Sequence, residues 1–112
     1  MFRITKQFHF SASHLLRKVP HDHPCGRLHG HNYIVEVELA LAEFEVRASA
    51  QQWVRDFGDL SVIRDWIDET WDHHDLNVWV TENKVGGDGW RMEASDQWRP
   101  METTAEMLAW YI

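Results

Sequence analysis

The sequence predicts an α+β domain of two long strands and two helices, and three patterns carry that prediction. Apolar and polar residues alternate over residues 2–10 and again over 31–41, as strands with one packed and one wet face require. Further on, Leu60, Ile63, Ile67 and Trp71 recur at helical spacing.

The first strand sets Phe2, Ile4, Phe8 and Phe10 on one face against Arg3, Thr5, Gln7 and His9 on the other, with Lys6 a misfit on the apolar side. Residues 11–30 hold Pro20, Pro24 and many polar groups, so they read as a loop. From His31 the alternation is cleaner, with Tyr33, Val35, Val37, Leu39 and Leu41 opposing Asn32, Glu36 and Glu38. A further short strand is expected over 52–57. The helix should cover 59–71, with Asp59 as its N-cap. Residues 77–101 read as irregular, with "GGDG" marking a turn and a possible local hairpin. Thr103 and Glu106 match a capping box that opens a second helix, whose apolar stripe is Ala105, Leu108, Ala109 and Ile112. That helix reaches the end of the sequence on apolar "AWYI" without a glycine stop. A two-stranded sheet is marginal alone, so further strands or a partner are expected to complete the fold.

With 112 residues the chain is a single domain, 1–112, that can bury one core. No apolar run approaches the roughly 20 residues of a membrane span, and the N-terminus lacks a secretory signal's apolar stretch, so a cytoplasmic location is expected. The net charge of −7 argues against nucleic acid or an anionic membrane as the main partner. Residues 1–33 run the other way: Arg3, Lys6, Arg17, Lys18 and Arg27 face a single acid, Asp22. Such a basic end can receive an anionic small molecule, or can be no more than a solvated face. The lone cysteine, Cys25, excludes an intramolecular disulfide and suits a reducing compartment.

The chemistry concentrates in "CGRLHGHNY". His29 and His31 lie two apart at a strand start, so both imidazoles point to one face, with no side chain on Gly30 between them. If the two strands pair antiparallel, His14 at the end of the first approaches both. Three histidines around an open fourth position suit a catalytic zinc ion. His9, His21 and His23 are rival ligands. Cys25 admits three readings: a fourth ligand that closes a structural site, a thiolate that moves protons beside the ion, or an inert buried thiol. After the helix, Asp72 next to His73 can orient an imidazole for acid–base work.

Five blocks, "FHFSASH" (8–14), "CGRLHGHNY" (25–33), "VRDFGDL" (54–60), "DHHDLN" (72–77) and "TTAEMLAWYI" (103–112), occur in the order found in one family. Together they resemble the 6-pyruvoyltetrahydropterin synthase and 6-carboxytetrahydropterin synthase family across nearly the whole chain, with 79–101 an unmatched, lengthened loop. The resemblance implies the tunnelling fold, an antiparallel sheet with two helices on one face. It also implies assembly through the sheets into rings that stack as a homohexamer, a dimer of trimers.

Carried over residue by residue, the resemblance makes His14, His29 and His31 the Zn²⁺ ligands and Cys25 the proton acceptor. His73, held by Asp72, joins a proton relay, Thr104 meets the pterin, and Arg27 is a candidate for the triphosphate with Arg17 and Lys18. Three residues separate Cys25 from His29, which is similar to the bacterial 6-carboxytetrahydropterin synthase branch. The implied substrate is 7,8-dihydroneopterin triphosphate. The family carries two more strands with a pterin-anchoring glutamate beyond the second helix, and the sequence is expected to lack that hairpin. A synthase that only eliminates triphosphate and a non-catalytic zinc-binding remnant are the alternatives.

Overall fold

The computed structural model describes residues 1–86 and 100–112. Strand β1 (Phe2–His14) pairs antiparallel with β2 (His29–Leu41), residue for residue from Phe2 opposite Leu41 to His14 opposite His29. Both strands extend into the stretch expected to be loop. The period-two pattern continues through Phe8, Phe10, Ala12 and His14, all buried, so Ser11 and Ser13 take the opposite face. The chain then turns back through a 3-10 turn at Pro24–Gly26.

Helix α1 (Glu43–Ala48) was not foreseen. It buries only Val46, is braced by a Glu43–Arg47 pair, and is capped by the Glu45 carboxylate on the Ala42 N–H at 3.1 Å. The short strand expected over 52–57 does not form. Gln52 takes the left-handed conformation at φ 55°, and Phe57 begins a 3-10 turn that runs to Leu60. Helix α2 (Ser61–Thr70) follows directly. Asp59 is therefore not its cap; Asp56 caps the preceding turn through the Gly58 N–H. The spacing of Leu60, Ile63, Ile67 and Trp71 nonetheless works as expected, since all four pack into or against the core.

Helix α3 (Leu76–Glu82) replaces the irregular stretch expected from residue 77. Asp75 starts it by accepting from the Asn77 and Val78 N–H groups. Helix α4 (Ala105–Tyr111) is capped by Thr104, whose hydroxyl accepts from the Met107 N–H at 3.3 Å. The capping box expected from Thr103 and Glu106 thus does not form and the cap moves to Thr104, because the Thr103 side chain is buried and bonded elsewhere. Beyond Gly86, which bridges to Pro100, the hairpin expected at "GGDG" lies outside the described residues.

One core joins the buried face of the sheet to α2, α3 and α4 through Phe10, Ile67, Trp71, Leu76, Val80, Met101 and Leu108. Its centre is aromatic. Trp71 is fully buried, with ring centroids 5.0 Å from Trp66, 5.4 Å from Trp79 and 5.6 Å from Phe10, and Trp79 reaches Tyr111 at 4.9 Å. Trp71→Ala is expected to cost about 3–5 kcal/mol in urea unfolding. Trp53→Ala, at a half-exposed position, should stay within about 0.5 kcal/mol. Equal losses would mean that the core is not centred on Trp71.

Candidate metal centre

The strand register builds the site. His14 stands opposite His29, and His31 lies two residues along β2 on the same face, opposite Ala12. The three rings meet edge to face, with centroids 4.7 Å apart for His14–His29, 5.0 Å for His14–His31 and 4.7 Å for His29–His31. One nitrogen from each lies within 4.8 Å of the others, the sole such group of potential ligands among the described residues.

Two of the rings are oriented by backbone carbonyls. His14 Nδ1 lies 2.8 Å from the Thr103 carbonyl and His29 Nδ1 lies 2.6 Å from the Arg27 carbonyl. A carbonyl can only accept, so both Nδ1 atoms carry a proton, and in the neutral ring that leaves the Nε2 lone pair for a metal. Burial is the main cause that pushes the His14 pKa below its ordinary 6.5. The Thr103 carbonyl works against that shift, and the neighbouring imidazoles reinforce it. The result is a neutral ring, the form that binds a metal. Three imidazoles on one face, two with fixed tautomers, fit a divalent ion with an open position.

A cavity of about 380 Å³ opens over this face, and Cys25, Thr104 and Glu106 line it with the three histidines. Cys25 stands outside the group of nitrogens described above. Its loop is held by the Leu16 N–H on the Cys25 carbonyl at 2.7 Å and by the Cys25 N–H on His23 Nδ1 at 3.0 Å. His23 therefore caps the 3-10 turn. His9 and His21 are exposed, His9 on the wet face of β1 opposite Ile34. Thr104 reaches the cavity as the cap of α4. Arg27 offers its carbonyl to His29, and its side chain is not part of the cavity wall.

Asp72 and His73 occupy different ground. Asp72 accepts the Ser11 N–H at 2.9 Å through one oxygen and meets His73 Nδ1 at 3.0 Å through the other. The His73 N–H donates to the Ser11 carbonyl at 2.6 Å, and His73 sits at φ 59°. This segment thus edges β1. His73 faces a second cavity of about 470 Å³ beside Ser11, Ser13 and Gly30, and His31 and Asn32 line both cavities. Within one chain, His73 and Cys25 line different cavities.

The profile of the family described as 6-pyruvoyl tetrahydropterin synthase matches residues 3–112. The chain belongs to this family. A 6-carboxy-5,6,7,8-tetrahydropterin synthase of Haemophilus influenzae is 31% identical over 115 residues, spanning all of this chain and 79% of that protein. A protein of the same name from Rickettsia felis is 35% identical over 74 residues, covering 65% of this chain but only 49% of its own length. The solved structure of Caenorhabditis elegans 6-pyruvoyl tetrahydropterin synthase superposes with a TM-score of 0.69 at 22% identity, over 98% of this chain and 72% of that one. That likeness carries the fold, the tunnelling fold expected from the sequence.

In this member of the family, the groups that sequence reasoning missed are mostly main-chain or helix-hidden. The Thr103 and Arg27 carbonyls leave no signature in residue type. Thr103 itself was visible, but only as a helix cap.

Metal analysis of the purified protein is expected to find a divalent ion in stoichiometric amount, lost in His29→Ala and in His31→Ala. A wild-type protein without bound metal would overturn the site. The Ser11 N–H, followed by His73, holds the Asp72 pKa below its ordinary 3.8. The stability it adds is therefore present above pH 3.8 and lost as pH falls through the folded value. Unfolding followed between about pH 5 and 2 should show this acid loss, and Asp72→Asn, which still accepts from Ser11, should flatten it.

Proposed function

We propose that the chain is a zinc-dependent 6-carboxy-5,6,7,8-tetrahydropterin synthase. It would convert 7,8-dihydroneopterin triphosphate to 6-carboxytetrahydropterin, acetaldehyde and triphosphate, on a route to 7-deazaguanine nucleosides such as queuosine. The observation that carries this reading is one cavity that holds three convergent histidines with Cys25 in its wall. The names of the Haemophilus and Rickettsia relatives support the carboxylated product over the pyruvoyl one.

Zinc held by His14, His29 and His31 would supply Lewis acidity to the hydroxyls of the substrate side chain. Cys25, on the cavity wall, takes a proton from that side chain as a thiolate. Thr104 contacts the pterin, and Arg27 meets the triphosphate near the mouth. His73, oriented by the Asp72 carboxylate, passes protons as an acid–base pair.

His73 and Cys25 do not line a common cavity, although His31 and Asn32 line both, and in this reading the relay is completed between copies of the chain. The outer edge of β2 pairs with no strand among the described residues, so this thirteen-residue strand, paired with β1 on its other side, offers a template for sheet-to-sheet association. Assembly as a dimer of trimers supplies the second copy. A single cysteine suits the reducing cytoplasm as the place of action. Among the described residues no helix is long and apolar enough to cross a membrane.

Incubation with dihydroneopterin triphosphate should release acetaldehyde and the carboxylated pterin. Triphosphate with an intact pyruvoyl side chain would instead identify the eliminating synthase, and bound zinc without turnover would identify a binding protein. Cys25→Ala should keep the metal and lose turnover; if it loses zinc instead, Cys25 is a ligand. Mixing and reassembling inactive Cys25→Ala and His73→Ala chains should restore measurable turnover, because some sites then combine both native residues. No recovery in confirmed mixed oligomers would place the relay within one chain.

A further inference from the structure

We propose that Asn77 and Thr103 are positioning residues for the metal centre, holding the chain at Leu15 and the ring of His14. The proposal rests on the reading of His14, His29 and His31 as metal ligands. Neither residue belongs to the cavity wall.

Pairing between β1 and β2 ends at His14, so the N–H and C=O of Leu15 have no strand to meet. The Asn77 side chain supplies both partners. Its Oδ1 accepts the Leu15 N–H at 2.9 Å and its Nδ2 donates to the Leu15 carbonyl at 3.0 Å. The amide of a helix residue thereby replaces a strand peptide, and Leu15 fixes which way that amide faces. Asn77 is 6% exposed, and Thr103 is fully buried.

Thr103 then links this clamp to the imidazole. Its hydroxyl lies 3.3 Å from the Leu15 carbonyl, 3.4 Å from Asn77 Oδ1 and 3.1 Å from His14 Nδ1. The hydroxyl proton goes to one of the two oxygens, which leaves a lone pair for the His14 Nδ1–H beside the nearer Thr103 carbonyl. On the other side of Thr103, the Glu102 carboxylate accepts the Arg17 N–H at 3.0 Å and the Lys18 N–H at 2.9 Å. The segment carrying the carbonyl is thus gripped at two consecutive residues. A strand cap alone would need no tie to the ring; here one hydroxyl touches both.

The test compares wild type with Asn77→Ala, Thr103→Val, Thr103→Ser and a control, Asn83→Ala, which removes a side-chain bond to the Trp79 carbonyl at the far end of α3. Zn²⁺ affinity is read by competition with a chromogenic chelator, and thermal melting of the metal-free proteins is read separately. Asn77→Ala and Thr103→Val should weaken zinc binding by about tenfold to a hundredfold, Thr103→Ser should recover most of it, and Asn83→Ala should stay within about twofold whatever its melting point. Ring nitrogen spectra of the metal-free wild type should show His14 as the Nδ1–H tautomer, and Asn77→Ala should mix the tautomers. Should Asn77→Ala fail to fold, the Thr103→Val and Thr103→Ser pair decides. Variants that bind zinc as tightly as wild type overturn the inference alone. A wild type that binds no zinc removes the metal reading and the inference with it.

Discussion

The register of β1 against β2 is the constraint on which the rest depends. Side chains alternate with period two, so a slip of one residue would move every apolar group of β1 to the opposite face. The same slip would set His14 across from Gly30 and take its ring away from His29 and His31. Core and metal centre therefore share one determinant. Phe10 stacked on Tyr33, with centroids 4.6 Å apart and planes at 7°, fixes that register four residues from His14 and His29 and two from His31.

The end of β1 is where the fold becomes chemistry. Apolar burial gives way at Ala12 to a small polar cluster, and its polar groups find partners: His14 on Thr103, Leu15 on Asn77, Arg17 and Lys18 on Glu102. A partly satisfied network at this depth would cost more than an apolar filling. The segment that enters α4 is therefore tied to the end of β1 by hydrogen bonds as well as by the packing of Met101 and Leu108. Displacing that segment would disturb the His14 ring and the core together.

Asp72 shows how a single carboxylate joins two tasks. One oxygen accepts a strand-edge N–H, and this anchors the carboxylate. The second oxygen is then available at a fixed place to hold His73. The backbone cost of His73 at positive φ is met by the bond from its N–H to Ser11. This arrangement stands at the free edge of β1, and its cavity does not include Cys25.

Local periodicity made much of this legible. Both strands, the buried line from Leu60 to Trp71, the pairing of Asp72 with His73 and the convergence of His14 with His29 and His31 follow from spacing and one antiparallel assumption. What stayed hidden depended on competition between partners. Thr103 and Thr104 are equally good caps in sequence, and only the burial of Thr103 against His14 gives the cap to Thr104. His23 is as good a ligand in sequence as His29, but its Nδ1 is spent on the Cys25 N–H. Helix α3 was obscured because Trp79, Val80 and a buried Asn77 read as an irregular run until the core exists to receive them. The sequence determined which residue types were available and the faces on which strand and helix would present them. Tertiary structure decided which donor met which acceptor, because hydrogen bonds are exclusive and burial is assigned by the whole chain.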